Sequence, residues 1–147
     1  MDHNNILPVV LAGGKSKRFG EDKSQVKLGG KILIDYILTE LIDEFNEVLI
    51  VANDPIKHLS SDKITKTEDF EKNLGPLGGI FSSMKWVKDN NKSYQWIASF
   101  PSDTPFFKKT IFRNFLTKIN EKESKLFFMN SNEKRHNIFG LWSIDLI

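Results

Sequence analysis

Apolar residues in this chain fall in two rhythms, short unbroken runs and longer stretches at helical spacing. Ile6 to Leu11 is an unbroken run containing one Pro and ending at Gly13-Gly14, which predicts a buried strand feeding a loop. From Leu33 to Phe45 the apolar positions are 33, 34, 37, 38, 41, 42 and 45, the spacing of a helix with one apolar face. Val48 to Val51 predicts a second strand, ending at Asn53-Asp54-Pro55, and Ile64 to Thr67 a third. Asn73 to Gly79 reads as a turn-rich loop before a helix that carries Ile80, Met84 and Val87 on one face. Tyr94 to Phe100 reads as a strand that stops at Pro101-Ser-Asp-Thr-Pro105. Ile111, Phe112, Phe115, Leu116 and Ile119 line another helix, and Leu126 to Met129 and Ile138 to Ile144 read as two last strands.

This alternation predicts an α/β sandwich around a mostly parallel sheet, with residues 1–147 forming a single domain. In such sheets ligands bind beyond the carboxyl ends of the strands. The Gly-rich and polar segments of this chain fall at those places: after the first strand, after Val51, before the Ile80 helix and after Phe100. That coincidence is what points to a site.

Composition narrows the chemistry. With no cysteine, the chain cannot use disulfides, zinc thiolates or a thiol nucleophile. No apolar stretch is long enough to span a bilayer, and Met1-Asp-His-Asn-Asn5 is no signal peptide, so a cytoplasmic location and no membrane partner are expected. The net charge of +2 is too small to imply a nucleic-acid partner. The location of the charge matters more: Lys15, Lys17, Arg18, Lys23, Lys27 and Lys31 crowd one segment, which suits a small polyanion. Trp86, Trp96, Trp142 and the many Phe residues are read as core.

Within that segment, Gly13 and Gly14 let backbone N–H groups approach phosphate oxygens. Ser16 adds a hydroxyl, Arg18 a planar fork and Lys23 a point charge. The spacing matches neither the P-loop nor the dinucleotide fingerprint. Spacing alone favours a surface loop with solvated lysines over a phosphate site. Asp103, at the carboxyl end of an apolar strand, is placed to hold Mg²⁺, which takes one or two carboxylates together with substrate phosphates and water. A turn in which Asp103 bonds its own backbone before Pro105 is the competing reading.

The full run, Leu11-Ala12-Gly13-Gly14-x-Ser16-x-Arg18-x-Gly20-x-Asp22-Lys23, resembles the signature of the molybdenum cofactor guanylyltransferase family, with Phe19 where that family usually has Met. Leu28-Gly-Gly-Lys-Ile-Leu33, Gly75-Pro-Leu-Gly-Gly79 and Asp103-Thr-Pro105 are similar to further motifs of the same family. The resemblance covers nearly the whole chain and is strongest in residues 6 to 33 and 75 to 105. It implies a three-layer sandwich with a Rossmann-like sheet of the nucleotide-diphospho-sugar transferase type. It implies transfer of GMP from GTP to molybdopterin with Mg²⁺ as cofactor and, among partners, transient contact with molybdenum cofactor enzymes. Carried over residue by residue, it makes Leu11, Ala12, Gly13, Gly14, Lys23, Asn53, Asp69 and Asp103 nucleotide-binding, with Glu68 the acid in place of Asp69 if the match slips by one. Arg18, Lys23 and Asp103 become catalytic, and Asp103 the metal ligand. Arg135 and His136 fall in a region near the acceptor in that family, although His136 is followed by Asn137 rather than the frequent Pro. The family usually continues with a helix and an Asn-x-Asn-Thr-Pro-like segment, so the chain reads as C-terminally shortened. A relative using CTP with a sugar-phosphate or cobamide acceptor and a non-catalytic nucleotide-binding module are the alternative functions.

Overall fold

The structure is a computed structural model. It describes residues 1–12, 26–69, 75–130 and 138–147 in full, and residues 17–18, 21–22, 131 and 134–137 as backbone only. Strand β1 spans Ile6–Leu11 and is followed by two short pairs, β2 (Lys17–Arg18) with β3 (Glu21–Asp22) and β4 (Lys27–Leu28) with β5 (Lys31–Ile32). Then come helix α1 (Leu33–Glu44), β6 (Val48–Val51), β7 (Ile64–Thr67), α2 (Pro76–Asp89), β8 (Trp96–Pro101), α3 (Lys109–Thr117), β9 (Leu126–Ser131) and β10 (Lys134–Ser143). The main elements are those the hydrophobic pattern predicts. The differences lie at their ends and in the two short pairs, whose two-residue strands are too brief to carry a periodic signal.

The six main strands form one sheet in the order β7-β6-β1-β8-β10-β9. β7, β6, β1 and β8 run parallel, and β10 runs antiparallel between β8 and β9. The four parallel strands end in register. Leu11 pairs with Val51 on one side and with Pro101 on the other, and Val51 pairs with Thr67. Two hydrogen bonds continue the ladder one residue further, from Ala12 N–H to the Val51 carbonyl (2.9 Å) and from Ala52 N–H to the Thr67 carbonyl (3.0 Å).

Helices cover both faces, which is why β1 and β6 are apolar at every position rather than at alternate ones. α1 and α3 lie on one face with Ile6, Val10, Val48, Ile50, Ala98 and Phe100, while α2 covers the other with Leu7, Val9, Leu49, Val51 and Ile97. Among the described residues no helix is long and apolar enough to cross a membrane. Trp96 and Trp142 are buried, as expected, but Phe81 and Phe106 are exposed and depart from the core reading. In the second case the apolar place in the turn is already taken by the neighbouring Phe107, which is 6% exposed.

α1 and α3 are joined across their polar edges. Arg113 forks onto Glu44, donating from Nε at 2.8 Å and from Nη2 at 2.5 Å, and His3 Nε2 lies 2.9 Å from the same carboxylate. Glu40 accepts the N–H of Lys109 at the start of α3, and Lys109 pairs with Asp43. The hydrogen-bonded Arg113 holds the Glu44 carboxyl below its usual 4.5, against the partial desolvation that would raise it, with help from His3. A depressed folded-state value stabilises the fold above pH 4.5 and ceases to do so as the pH falls through that value. Arg113→Gln is therefore expected to lower the melting temperature at neutral pH, and the gap from the parent protein should close well below pH 4.5. Thermal unfolding followed at both pH values checks this, and a gap that persists unchanged in acid would reject the pairing as its source.

Candidate active site

β1 sits where the strand order reverses: the chain moves outward through β6 and β7, then returns over α2 to β8 on the other flank. The loops that follow β1 and β8 leave the sheet side by side at that switch point, as the Leu11–Pro101 pairing requires. Crevices of this kind collect ligands because two neighbouring loops diverge to opposite faces.

Four expected site residues meet at or beside this edge. Leu11 and Ala12 close β1, with Ala12 8% exposed. Asn53 follows β6, and its side-chain carbonyl accepts the N–H of Asp69, just past β7, at 3.0 Å. Asp69 Oδ1 accepts from the Ser82 hydroxyl of α2 at 3.0 Å, and the same hydroxyl lies 2.8 Å from the Gly78 carbonyl. Asn53 and Asp69 thus belong to one network, while Glu68 is exposed. Asp69, not Glu68, is the acid that the structure holds at this edge. Gly13, Gly14 and Lys23, and the side chain of Arg18, lie outside the described residues, as do the side chains of Arg135 and His136.

α2 approaches from the other side of the crevice. A Cβ on Gly79 would stand 2.8 Å from Leu11 Cδ2, so glycine lets the helix pack directly on the end of β1. The helix starts at Gly75, with φ 60° and ψ −144°, a conformation essentially confined to glycine, and Pro76 follows in the first turn. Among the described residues no side chain caps this end. The Gly78 N–H turns back onto the Gly75 carbonyl at 3.1 Å, and Pro76 has no N–H to satisfy. Ser82 was not marked by sequence reasoning. It is fully buried, yet it lies on the side of α2 away from Ile80, Met84 and Val87, so the apolar spacing carried no signal of it.

Asp103 is half-buried in the turn after β8. The Thr104 hydroxyl donates to the Pro101 carbonyl at 3.1 Å, and Phe107 N–H donates to the Thr104 carbonyl at 3.3 Å, which hold that turn on both sides of the carboxylate. Among the described residues no three metal-ligating side chains converge. A cation here would share its ligands with phosphate oxygens, as magnesium at nucleotide sites does. Asp103 offers one such carboxylate at the strand ends, which fits that donor set.

Residues 8–147 match the model of the MobA-like NTP transferase domain. The chain belongs to that family. This MobA-like chain is 31% identical over 146 residues to the molybdenum cofactor guanylyltransferase of Rhizobium johnstonii, covering 99% of the chain and 67% of the relative. It is 29% identical over 135 residues to the molybdenum cofactor guanylyltransferase of Vibrio atlanticus, covering 91% and 66%. It thus spans about two thirds of the length of these relatives. The crystal structure of molybdopterin-guanine dinucleotide biosynthesis protein A from Archaeoglobus fulgidus superimposes with a TM-score of 0.69 over 95% of this chain and 68% of that one. At 17% identity that likeness shows the shared fold. The chain is therefore a nucleotidyltransferase of the MobA-like type.

Ser82→Ala removes the hydroxyl from Asp69 at a cost of about 1 kcal/mol in local order. The expected result is a severalfold loss of nucleoside triphosphate affinity by calorimetry with the melting temperature lowered by only about 2–4 °C. Unaltered affinity would show that the Asn53–Asp69–Ser82 network does not position the ligand.

Proposed function

We propose that this chain transfers GMP from GTP to the terminal phosphate of molybdopterin, with Mg²⁺, to give molybdopterin guanine dinucleotide and pyrophosphate. The observation that carries the reading is the in-register ending of β7, β6, β1 and β8, which puts the nucleotide-side network and Asp103 on one edge. The match of the chain to relatives named molybdenum cofactor guanylyltransferase supports the choice of donor and acceptor.

In this reaction an oxygen of the acceptor's phosphate attacks the α-phosphorus of GTP in line. The bond from that phosphorus to the bridging oxygen of the β-phosphate breaks, and the electron pair leaves with pyrophosphate. The nucleophile is already ionised at neutral pH, so no strong general base is required. What the protein must supply is position and charge neutralisation. Gly13 and Gly14 take phosphate oxygens through backbone N–H groups, while Arg18 and Lys23 neutralise the triphosphate and the departing pyrophosphate. Leu11 and Ala12 form the floor of the crevice. Asn53, with Asp69 braced by Ser82, holds the nucleoside end. Asp103 would hold the Mg²⁺, which when bound withdraws charge from the phosphate oxygens.

Asp103→Ala is expected to reduce turnover by about 10²–10³-fold, the scale of losing one electrostatic stabiliser, without lowering the melting temperature. Pyrophosphate release with GTP, Mg²⁺ and molybdopterin measures it. Near-normal turnover would reject the metal role. Calorimetry with GTP, CTP, ATP and UTP tests the donor: GTP should bind tightest, and a preference for CTP would move the chain to the cytidylyl relatives.

A further inference from the structure

We infer that Phe106 stacks on the pterin ring of the acceptor and thereby sets acceptor affinity, an assignment that rests on the guanylyltransferase reading above. Phe106 is 82% exposed, although three rings close to it in sequence are buried: Phe100 is 1% exposed, Phe107 6% and Phe112 2%. Its outward setting is enforced. Phe107 fills the apolar site beneath the turn, edge-on to Phe100 with centroids 5.1 Å apart and stacked on Phe139 at 5.9 Å. The Thr104 bonds to Pro101 and Phe107 hold the backbone on either side. Phe106 cannot turn inward without displacing that ring.

Its position selects the ligand. The nucleotide-side network of Asn53, Asp69 and Ser82 lies on the β6–β7 flank of β1. Asp103 lies on the β8 flank, and β10 runs antiparallel beside β8, with Gly140 opposite Ser99. The first residues of β10 therefore project past the end of β8 on the side away from the nucleotide network. An in-line displacement brings the acceptor to the α-phosphate from the side opposite pyrophosphate, and the β8–β10 flank is the ground left for the acceptor. Phe106 is three residues past Asp103, so their Cα atoms are at most about 10 Å apart. A fixed, solvent-facing aromatic at that range presents a flat apolar face to a conjugated ring system while the acceptor's phosphate is held near Asp103. Isolated exposed apolar side chains are ordinary on protein surfaces; a ring locked outward beside the reacting carboxylate has a partner of matching shape.

Three variants, Phe106→Ala, Phe106→Leu and Phe106→Trp, together with the parent protein, test this with two readouts, the KM values for molybdopterin and GTP and the direct binding of molybdopterin followed by its ring fluorescence. Phe106→Ala should raise the acceptor KM and Kd about tenfold while leaving the KM for GTP within about twofold, the scale of losing one aromatic stack. Phe106→Trp should stay near the parent, and Phe106→Leu, apolar but without a π-face, should resemble the alanine variant. Unchanged acceptor KM and Kd in Phe106→Ala, or full activity in Phe106→Leu, overturns the stacking role. If the parent binds molybdopterin but releases no pyrophosphate with any nucleotide, the transfer reading fails and the binding ratio alone decides Phe106. If the parent binds no molybdopterin, both fall.

Discussion

Everything at the candidate site depends on one constraint, that four parallel strands stop in register. The ladder from Thr67 through Val51 and Leu11 to Pro101 fixes where four loops begin, to within the spacing of neighbouring strands. The bonds from Ala12 to Val51 and from Ala52 to Thr67 hold the first residue of two of those loops. A loop is a poor place for chemistry unless its root is rigid. Here the roots are tied by backbone hydrogen bonds within one sheet, whose strands β1 and β6 are buried on both faces. Strand β1, whose neighbours are parallel on both sides, also marks the point where the crossovers diverge and leave a crevice.

α2 turns that crevice into a site with two distinct walls. Its first turn can press against Leu11 because Gly79 has no side chain, and Gly75 gives the backbone the sharp turn that starts the helix. The same helix contributes Ser82, which reaches back to Asp69, which in turn is bonded by Asn53. Three elements distant in sequence are thus linked by two hydrogen bonds. The other wall is held differently. The turn carrying Asp103 is secured by the hydrogen bonds of Thr104 and by the cluster of Phe100, Phe107 and Phe139, so apolar packing joins hydrogen bonding in holding that wall. Beyond it, Ser99 braces the irregular start of β10. Its hydroxyl donates to the Ile138 carbonyl at 2.5 Å and accepts from Gly140 N–H and Trp142 Nε1, which satisfies groups that the register shift between His136 and Gly140 would otherwise strand.

The sequence by itself determined the sheet, the helices and the placing of the polar segments at the strand ends. Periodicity is a local property: Ile6 to Leu11 and Val48 to Val51 are apolar at every position because both faces are covered, and that alone marks them as central strands. The family resemblance, carried by Leu11 to Lys23 and Asp103 to Pro105, added the nucleotide chemistry. What only the tertiary structure decided are matters of register and partner. Asp69 rather than Glu68 is the buttressed acid because the Asn53 side chain meets its N–H and Ser82 its carboxylate, contacts that span 16 and 13 residues. Phe106 faces out while Phe107 faces in because one apolar place in the turn holds one ring, and a two-residue Phe pair carries no sign of which will take it. Contacts between distant segments depend on the three-dimensional fit of strands and helices, and no spacing along the chain encodes that fit one residue at a time.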